Sequence, residues 1–205
     1  MAGRPSKAPE RRDQILDAME ICVAEQGIAL SSLRRIADQS GLSLQMVSHY
    51  FGNRQSLILA FVERIADRLA REIDQAGNGA TDRDRLLQTI RFLCDGRYKK
   101  LSGNDVIGRE IWGLAERDPD VRRLVWNAYE RALDRLTRLI AASFPATDAA
   151  QCRATAYAIL CLTEANEFFS GIGGLQVPPA AAEDAALSLL RPLETADSPT
   201  GARVS

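Results

Sequence analysis

The sequence has few of the residues that metal sites and nucleophilic catalysts use. It has one histidine, His49, which leaves little for a histidine-based metal centre or a Ser-His-Asp triad. Its cysteines are scattered through helix-like segments, and no pair has metal-ligand spacing. We therefore expect no metal and no catalytic thiol, only buried reduced thiols of the kind common in cytosolic proteins. The four are Cys22, Cys94, Cys152 and Cys161.

Long hydrophobic runs and a bulk charge are also missing. No apolar stretch approaches the roughly 20 residues that span a bilayer. The first twelve residues are polar and basic, unlike a secretion signal, so we expect a cytoplasmic protein that does not contact a membrane. The 205 residues carry a formal net charge of −1, so any affinity for nucleic acid must come from a local basic patch.

Apolar residues recur at three- and four-residue steps along nearly the whole chain, and no alternating strand pattern is convincing. This period predicts an all-α fold of about nine helices. Gly27, Gly41 and the loop at 77–79 end helices, and Pro119 follows the cap residue Asp118. The predicted helices cover residues 8–26, 33–40, 44–50, 56–76, 83–100, 105–116, 119–143, 148–170 and 179–193. Residues 195–205 have few apolar side chains and are predicted to be a disordered tail.

The most informative stretch runs from Ser31 to Leu57 and reads SSLRRIADQSGLSLQMVSHYFGNRQSL. Serines precede two short helices that are marginal alone, and a tight turn at Gly41 joins them. Leu42 and Val47 are apolar and lie beneath this turn. The pattern predicts a helix-turn-helix, whose second helix enters the major groove of DNA. The outer face of that helix would carry Leu44, Gln45, Ser48 and His49.

The outer face has chemistry that suits DNA. Gln45 can make a two-pronged hydrogen bond to adenine, and Ser43 offers its hydroxyl and free N–H groups to a phosphate. Arg34 can reach a guanine or a phosphate. Arg54 lies at a helix start, where a cation is unfavourable, and a DNA phosphate would explain it. Upstream, a basic arm could follow the backbone or a minor groove, with Arg4, Lys7, Arg11 and Arg12.

The same residues have ordinary structural interpretations. Any helical hairpin with a glycine turn has a similar pattern. Arg34 and Arg35 fit a solvated helix face, and His49 fits a surface histidine. Tyr50 and Phe51 fit core aromatics, which is the interpretation we favour for Phe51.

The first third of the chain resembles TetR-family regulators, in the stretch IADQSGLSLQMVSHYFGNRQSLILA. That family shows an Ile-Ala pair, a Gly-aliphatic-Ser turn, an aliphatic-aromatic-x-aromatic-Phe run, a small loop, a lysine and a leucine. The VSHYF run is similar to that of the family's choline-responsive branch. Ser48 stands where the first aromatic of the run is usual, so the contact of that ring does not carry over. Arg54 replaces the usual lysine, which keeps the charge and changes the geometry.

The resemblance implies a ligand-responsive, sequence-specific DNA-binding regulator, mostly a repressor that a small molecule releases from a palindromic operator. It implies a homodimer whose last two helices pair with their mates in a four-helix bundle. The predicted division is a flexible basic arm at 1–8, a helix-turn-helix DNA-binding domain at 9–55 and a larger helical ligand-binding and dimerisation domain at 56–194. The implied contacts are phosphate for Tyr50 and Arg54, caps and phosphate for Ser32 and Ser43, and bases for Arg34, Gln45 and His49.

The larger helical part is expected to hold an apolar cavity for a small-molecule effector. Aromatic faces beside a carboxylate such as Glu164 would favour a cationic or amine ligand. Aromatic residues at helical spacing also fit a core or a dimer interface. The candidate lining residues are Phe92, Trp112, Trp126, Tyr129, Glu164 and Phe168.

Two other classes of function compete with a DNA-binding regulator. The sequence does not support an enzymatic function, because it shows no Gly-rich phosphate loop, no metal cluster and no nucleophile paired with a histidine. The alternative is a helical protein–protein adaptor without DNA binding. The basic arm and the face with Gln45 and His49 argue against it, and steeply salt-dependent DNA binding would decide between the two.

Overall fold

The computed structural model describes residues 8–94, 105–173, 176–178 and 180–197, and these residues form helices with no strand among them. The predicted all-α class is confirmed, with ten helices in the described ranges. They are α1 (Ala8–Leu30), α2 (Leu33–Ser40), α3 (Leu44–Phe51), α4 (Arg54–Ala76), α5 (Asp82–Cys94), α6 (Asp105–Ala115), α7 (Pro119–Ser143), α8 (Ala149–Gly171), α9 (Ala181–Ser188) and α10 (Arg191–Asp197).

Local signals place most helix ends well. α2 and α7 begin and end at the predicted residues, and α7 is capped by Asp118, whose carboxylate accepts from the N–H of Val121 at 3.1 Å. α4 begins two residues earlier than predicted, because the Asn53 side chain caps it by accepting from Ser56 N–H at 2.9 Å. The chain leaves helical geometry at Gly27, with φ 82° and ψ 163°, although α1 is assigned through Leu30.

The last predicted helix is wrong in one respect. Residues 179–193 were expected to form a single helix, whereas the structure has α9 and α10 in that region. Pro192 is the second residue of α10, where a missing N–H does no harm, and it cannot lie in the middle of a longer helix. α10 also makes residues 195–197 helical, although they were predicted as part of the disordered tail. The rest of that tail, and the arm up to Lys7, lie outside the described residues.

One compact unit contains the described residues up to Asp67 together with those from 105 to Trp126. α1, α2, α3 and the first part of α4 enclose an apolar core, in which Ile36, Val47 and Phe61 are fully buried. The second segment contributes to the same core through Ile107, Ile111, Ala115 and Val121. The unit is therefore built from two stretches that are distant in sequence.

The other compact unit contains the described residues from 68 to 94 and those from Asn127 onward. Its core brings together Leu86 and Ile90 of α5, Ile140 of α7, Ile159 of α8 and Leu190. Ion pairs lie at its surface, between Arg83 and Glu194 and between Arg91 and Glu183. The predicted division into functional domains stays a prediction.

The described cysteines are free thiols, and three of the four are buried, as expected. Burial raises the pKa of the Cys22 and Cys152 thiols. Cys161 is exposed on α8, so the expectation of burial is wrong for this residue. Among the described residues, no His, Cys, Asp and Glu side chains cluster in a way that would hold a metal ion. In the same ranges, no helix has the length and apolar character that a bilayer crossing requires.

Candidate nucleic-acid interface

α2 and α3 are two eight-residue helices with serine caps. Ser32 Oγ accepts from Arg35 N–H at 3.2 Å, and Ser43 Oγ accepts from Met46 N–H at 3.2 Å. Gly41 ends α2 in the left-handed conformation, with φ 67° and ψ 20°. Both predicted caps and the predicted glycine turn are confirmed, and together they fix the angle at which α3 leaves α2.

The two faces of α3 differ sharply. Val47 and Phe51 are buried in the core, as predicted for Phe51. On the other side, Leu44, Gln45 and His49 are exposed, and Leu44 keeps 46% of its surface. The remaining predicted contacts are either exposed (Ser32, Arg34, Ser43) or half-buried (Ser48, Tyr50). The helix-turn-helix therefore presents a polar surface with a single large apolar side chain.

Arg12 contacts the C-terminal end of α3. Its Nη1 donates to the Tyr50 carbonyl at 2.7 Å, and its guanidinium lies 4.3 Å from the centroid of the Phe51 ring. Arg12, a candidate for backbone contact with the basic arm, lies within α1, as the predicted helix over residues 8–26 requires. The contact fastens α1 to α3. Arg4 and Lys7 of the predicted arm lie outside the described residues.

Arg54 is half-buried at the start of α4. Its Nε donates to the Ser31 carbonyl at 3.1 Å, and its Nη2 donates to the Ile28 carbonyl. These carbonyls lie at the end of α1 and just before α2, so the chain itself supplies acceptors for the cation. Arg54 therefore needs no external anion to be accommodated at a helix start, and its phosphate contact stays a prediction. Sequence reasoning missed this contact because the partners are 23 and 26 residues away.

The six candidate ligand residues are distributed over both compact units. Trp112 and Trp126 belong to the first compact unit and are 51% and 65% exposed. In the second unit, Phe92 is buried and Phe168 is 50% exposed. Two of the six are in contact, since the Tyr129 side chain hydrogen-bonds the half-buried carboxyl group of Glu164. The shared lining of a cavity by all six stays a prediction.

Burial raises the pKa of Glu164, and the hydrogen bond from Tyr129 offsets part of that rise. A carboxyl group with a raised pKa stabilises the folded state below its ordinary pKa, and this contribution is lost as the pH rises through the raised value. We therefore expect the unfolding free energy of the wild type, measured relative to Glu164→Gln, to fall as the pH rises above 4.5, the ordinary value. Urea titrations at several pH values measure this difference. Glu116→Gln, at an exposed carboxylate, is the control, and equal pH profiles for both variants would contradict the prediction.

Two short, serine-capped helices joined through a glycine turn, with an exposed polar face on the second, define a helix-turn-helix protein. Residues 15–61, which include this motif, match the family of bacterial regulatory proteins named tetR. The chain is 26% identical to the transcriptional regulator BetI 1 of Chromohalobacter salexigens, over 57% of this chain and 58% of that protein. It is 28% identical to the transcriptional repressor AcnR of Corynebacterium efficiens, over 65% of each. Over residues 15–61 the chain is therefore similar to the tetR family of bacterial regulatory proteins.

The match spans 58% to 65% of the length of these curated relatives. A solved structure extends the likeness in fold to most of the chain. This protein, from Saccharomonospora viridis, was crystallised in complex with choline and superposes with a TM-score of 0.72. The superposition covers 89% of this chain and 96% of that one, at 17% identity. The shared feature is the all-helical fold.

Proposed function

We propose that this protein is a sequence-specific DNA-binding transcriptional regulator, a cytoplasmic repressor that leaves its operator when a small molecule binds, and not an enzyme. The observation that carries the proposal is the exposed polar face of α3, held by two capped helices over a buried core. The names of the relatives, a transcriptional regulator and a transcriptional repressor, support it.

In the proposed complex α3 lies in the major groove. Gln45 reads a base edge, with Arg34 and His49 near bases, and Leu44 makes apolar contact with the groove. The free N–H groups at the starts of α2 and α3 bind phosphates beside Ser32 and Ser43. Ser48 lies beside the DNA at the edge of the face, and further phosphate contacts come from Tyr50, from Arg54, and from the basic arm with Arg4 and Lys7.

The proposed operator is a palindrome read by a homodimer. α8 has exposed aromatic side chains, Tyr157, Phe168 and Phe169, which are 60%, 50% and 43% exposed. Such a surface favours pairing with a second copy of the chain. A two-fold dimer would place the two α3 helices about 34–36 Å apart, one turn of duplex. Sedimentation at micromolar protein concentration tests this, and a monomer would contradict it.

The proposed effector is a cationic or amine compound. The half-buried carboxyl group of Glu164 beside Tyr129 supports this class, as does the choline held by the Saccharomonospora protein. Thermal unfolding in the presence of amines, quaternary ammonium compounds and organic anions tests it. We expect stabilisation by cations that Glu164→Gln weakens. Stabilisation by anions alone, unchanged in Glu164→Gln, would contradict a cationic effector and leave DNA binding intact.

Selection of bound sites from random duplex DNA is the direct test of the function. We expect one preferred palindrome, with affinity that falls steeply as salt rises. Gln45→Ala should relax the preference at one position in each half-site, at a cost of about 1–3 kcal/mol of discrimination. The matched control is Gln88→Ala, which removes an exposed glutamine of α5 and should leave the preference unchanged. Absence of DNA binding even at low salt would instead favour a protein–protein adaptor.

A further inference from the structure

The chain is held from two sides at the break in α1. At Gly27 the backbone turns away from helical geometry, and Ile28 follows in a buried position, 4% exposed. The Ile28 N–H donates to Glu110 Oε2 of α6 at 2.7 Å. The Ile28 carbonyl accepts from Arg54 Nη2 of α4. The peptide groups on the two sides of Ile28 are therefore hydrogen-bonded to two different helices, and both helices contribute to the same compact unit.

The space beside Gly27 is shaped for the Glu110 carboxylate. A Cβ atom at this glycine would lie 2.9 Å from Glu110 Oε2 and 3.1 Å from Oε1. The carboxylate therefore packs directly against the backbone at the break in α1 and accepts from the Ile28 N–H. Ile28 and Glu110, which are 82 residues apart in sequence, are thus hydrogen-bonded at the break in α1.

The held turn leads straight into the helix-turn-helix. Ser31 N–H donates to the Ile28 carbonyl at 3.2 Å, and Ser31 Oγ donates to the Gly27 carbonyl at 2.9 Å. Arg54 also holds the Ser31 carbonyl, and the next residue, Ser32, caps α2. The position of Ile28 therefore sets where α2 begins, and α2 carries α3 through the turn at Gly41.

We infer that Glu110 is a positioning residue for DNA recognition. It acts through Ile28 and the turn to Ser31, together with Arg54, and it makes no contact with DNA itself. This inference rests on the proposed DNA-binding function and adds to it a residue that lies 53 positions after the last residue of the helix-turn-helix stretch, Leu57.

The charge of Glu110, considered alone, predicts that its removal strengthens DNA binding. DNA is a polyanion, so removing a carboxylate from its binding partner strengthens attraction to every sequence. If Glu110 positions the motif, its removal instead weakens binding to the operator. The sign of the change therefore separates the two explanations.

The test compares Glu110→Ala, Glu110→Gln and Glu116→Ala in the full chain. For each, the dissociation constant is measured for the selected operator and for unrelated duplex DNA over a range of salt concentrations, well below the melting temperature. We expect Glu110→Ala to lose roughly tenfold or more in operator affinity, the effect of one lost charged hydrogen bond, with little loss on unrelated DNA and an unchanged salt slope. Glu110→Gln keeps an acceptor for the Ile28 N–H and should recover most of this loss.

Glu116→Ala removes the same charge from an exposed residue just after α6, and operator binding should equal or slightly exceed that of the wild type. Glu110→Ala overturns the inference if it binds the operator as Glu116→Ala does, or if it only lowers the melting temperature while the folded protein keeps the wild-type ratio of operator to unrelated affinity. A wild type that binds no DNA specifically would overturn the proposed function as well. If the wild type binds its operator specifically and Glu110→Ala binds it equally well, this inference is overturned and the proposed function is not.

Discussion

Leu57→Ala is expected to lower the free energy of unfolding by about 2–5 kcal/mol. Leu57 is completely buried in the first turn of α4, within the same core as Val47 and Phe61. Removing its side chain withdraws apolar surface from the core and leaves a cavity, because the surrounding helices close only partly. Urea-induced unfolding followed by circular dichroism measures the change.

Leu44→Ala is the matched control, since it makes the same substitution on an exposed residue of α3. Leu44 keeps 46% of its surface in the folded chain, so we expect a change within about 0.5 kcal/mol. The pair also separates stability from function, because Leu44 lies on the proposed DNA-binding face. Equal destabilisation by both substitutions would show that the buried and exposed faces of the helix-turn-helix are wrongly assigned.

Gly27→Ala is expected to lower the free energy of unfolding by about 1–3 kcal/mol through backbone strain. With φ 82° and ψ 163°, Gly27 occupies a region that residues with a Cβ atom almost never adopt. The added methyl group would also press on the Glu110 carboxylate, 2.9 Å away, and displace it from the Ile28 N–H. Thermal and urea unfolding of the variant measure the combined cost.

Two further variants separate strain from crowding. Gly108→Ala, in α6 with open space around its Cα, should raise stability by about 0.5–1 kcal/mol because alanine favours a helix. Gly27→Ala made in a Glu110→Ala background should cost less than in the wild type, and the cost that remains is the strain. An unchanged stability for Gly27→Ala would mean that α1 does not break at this residue.

Local chemistry made much of the helix-turn-helix predictable from sequence. Ser32 and Ser43 are capping residues at the right distance before apolar periods, and Gly41 marks the turn between them. The split of the last helix also had a local signal, since Pro192 is tolerated only in a first turn. These features depend on neighbours within four residues, which is the range that a sequence pattern reports.

The contacts that hold the motif in place had no such signal. The sequence places Arg54 at a helix start but does not say that the carbonyls of Ile28 and Ser31 lie within its reach. Glu110 stands out only as an acidic residue in an apolar helix, and its partner is an N–H in another part of the chain. Such pairings depend on how helices pack, and no local pattern of residues encodes the packing by itself.

The two-segment make-up of the first compact unit limits how its helix-turn-helix can be moved between proteins. A chimaera that joined residues 1–67 to a foreign effector domain would leave out Ile107, Ile111 and Val121, which complete the apolar core. The apolar side chains of the first segment that these residues cover would be exposed unless the foreign domain covered them. Changing the exposed surface of α3 would leave this core intact, whereas a graft of the whole motif needs residues 105–126 to travel with the first segment.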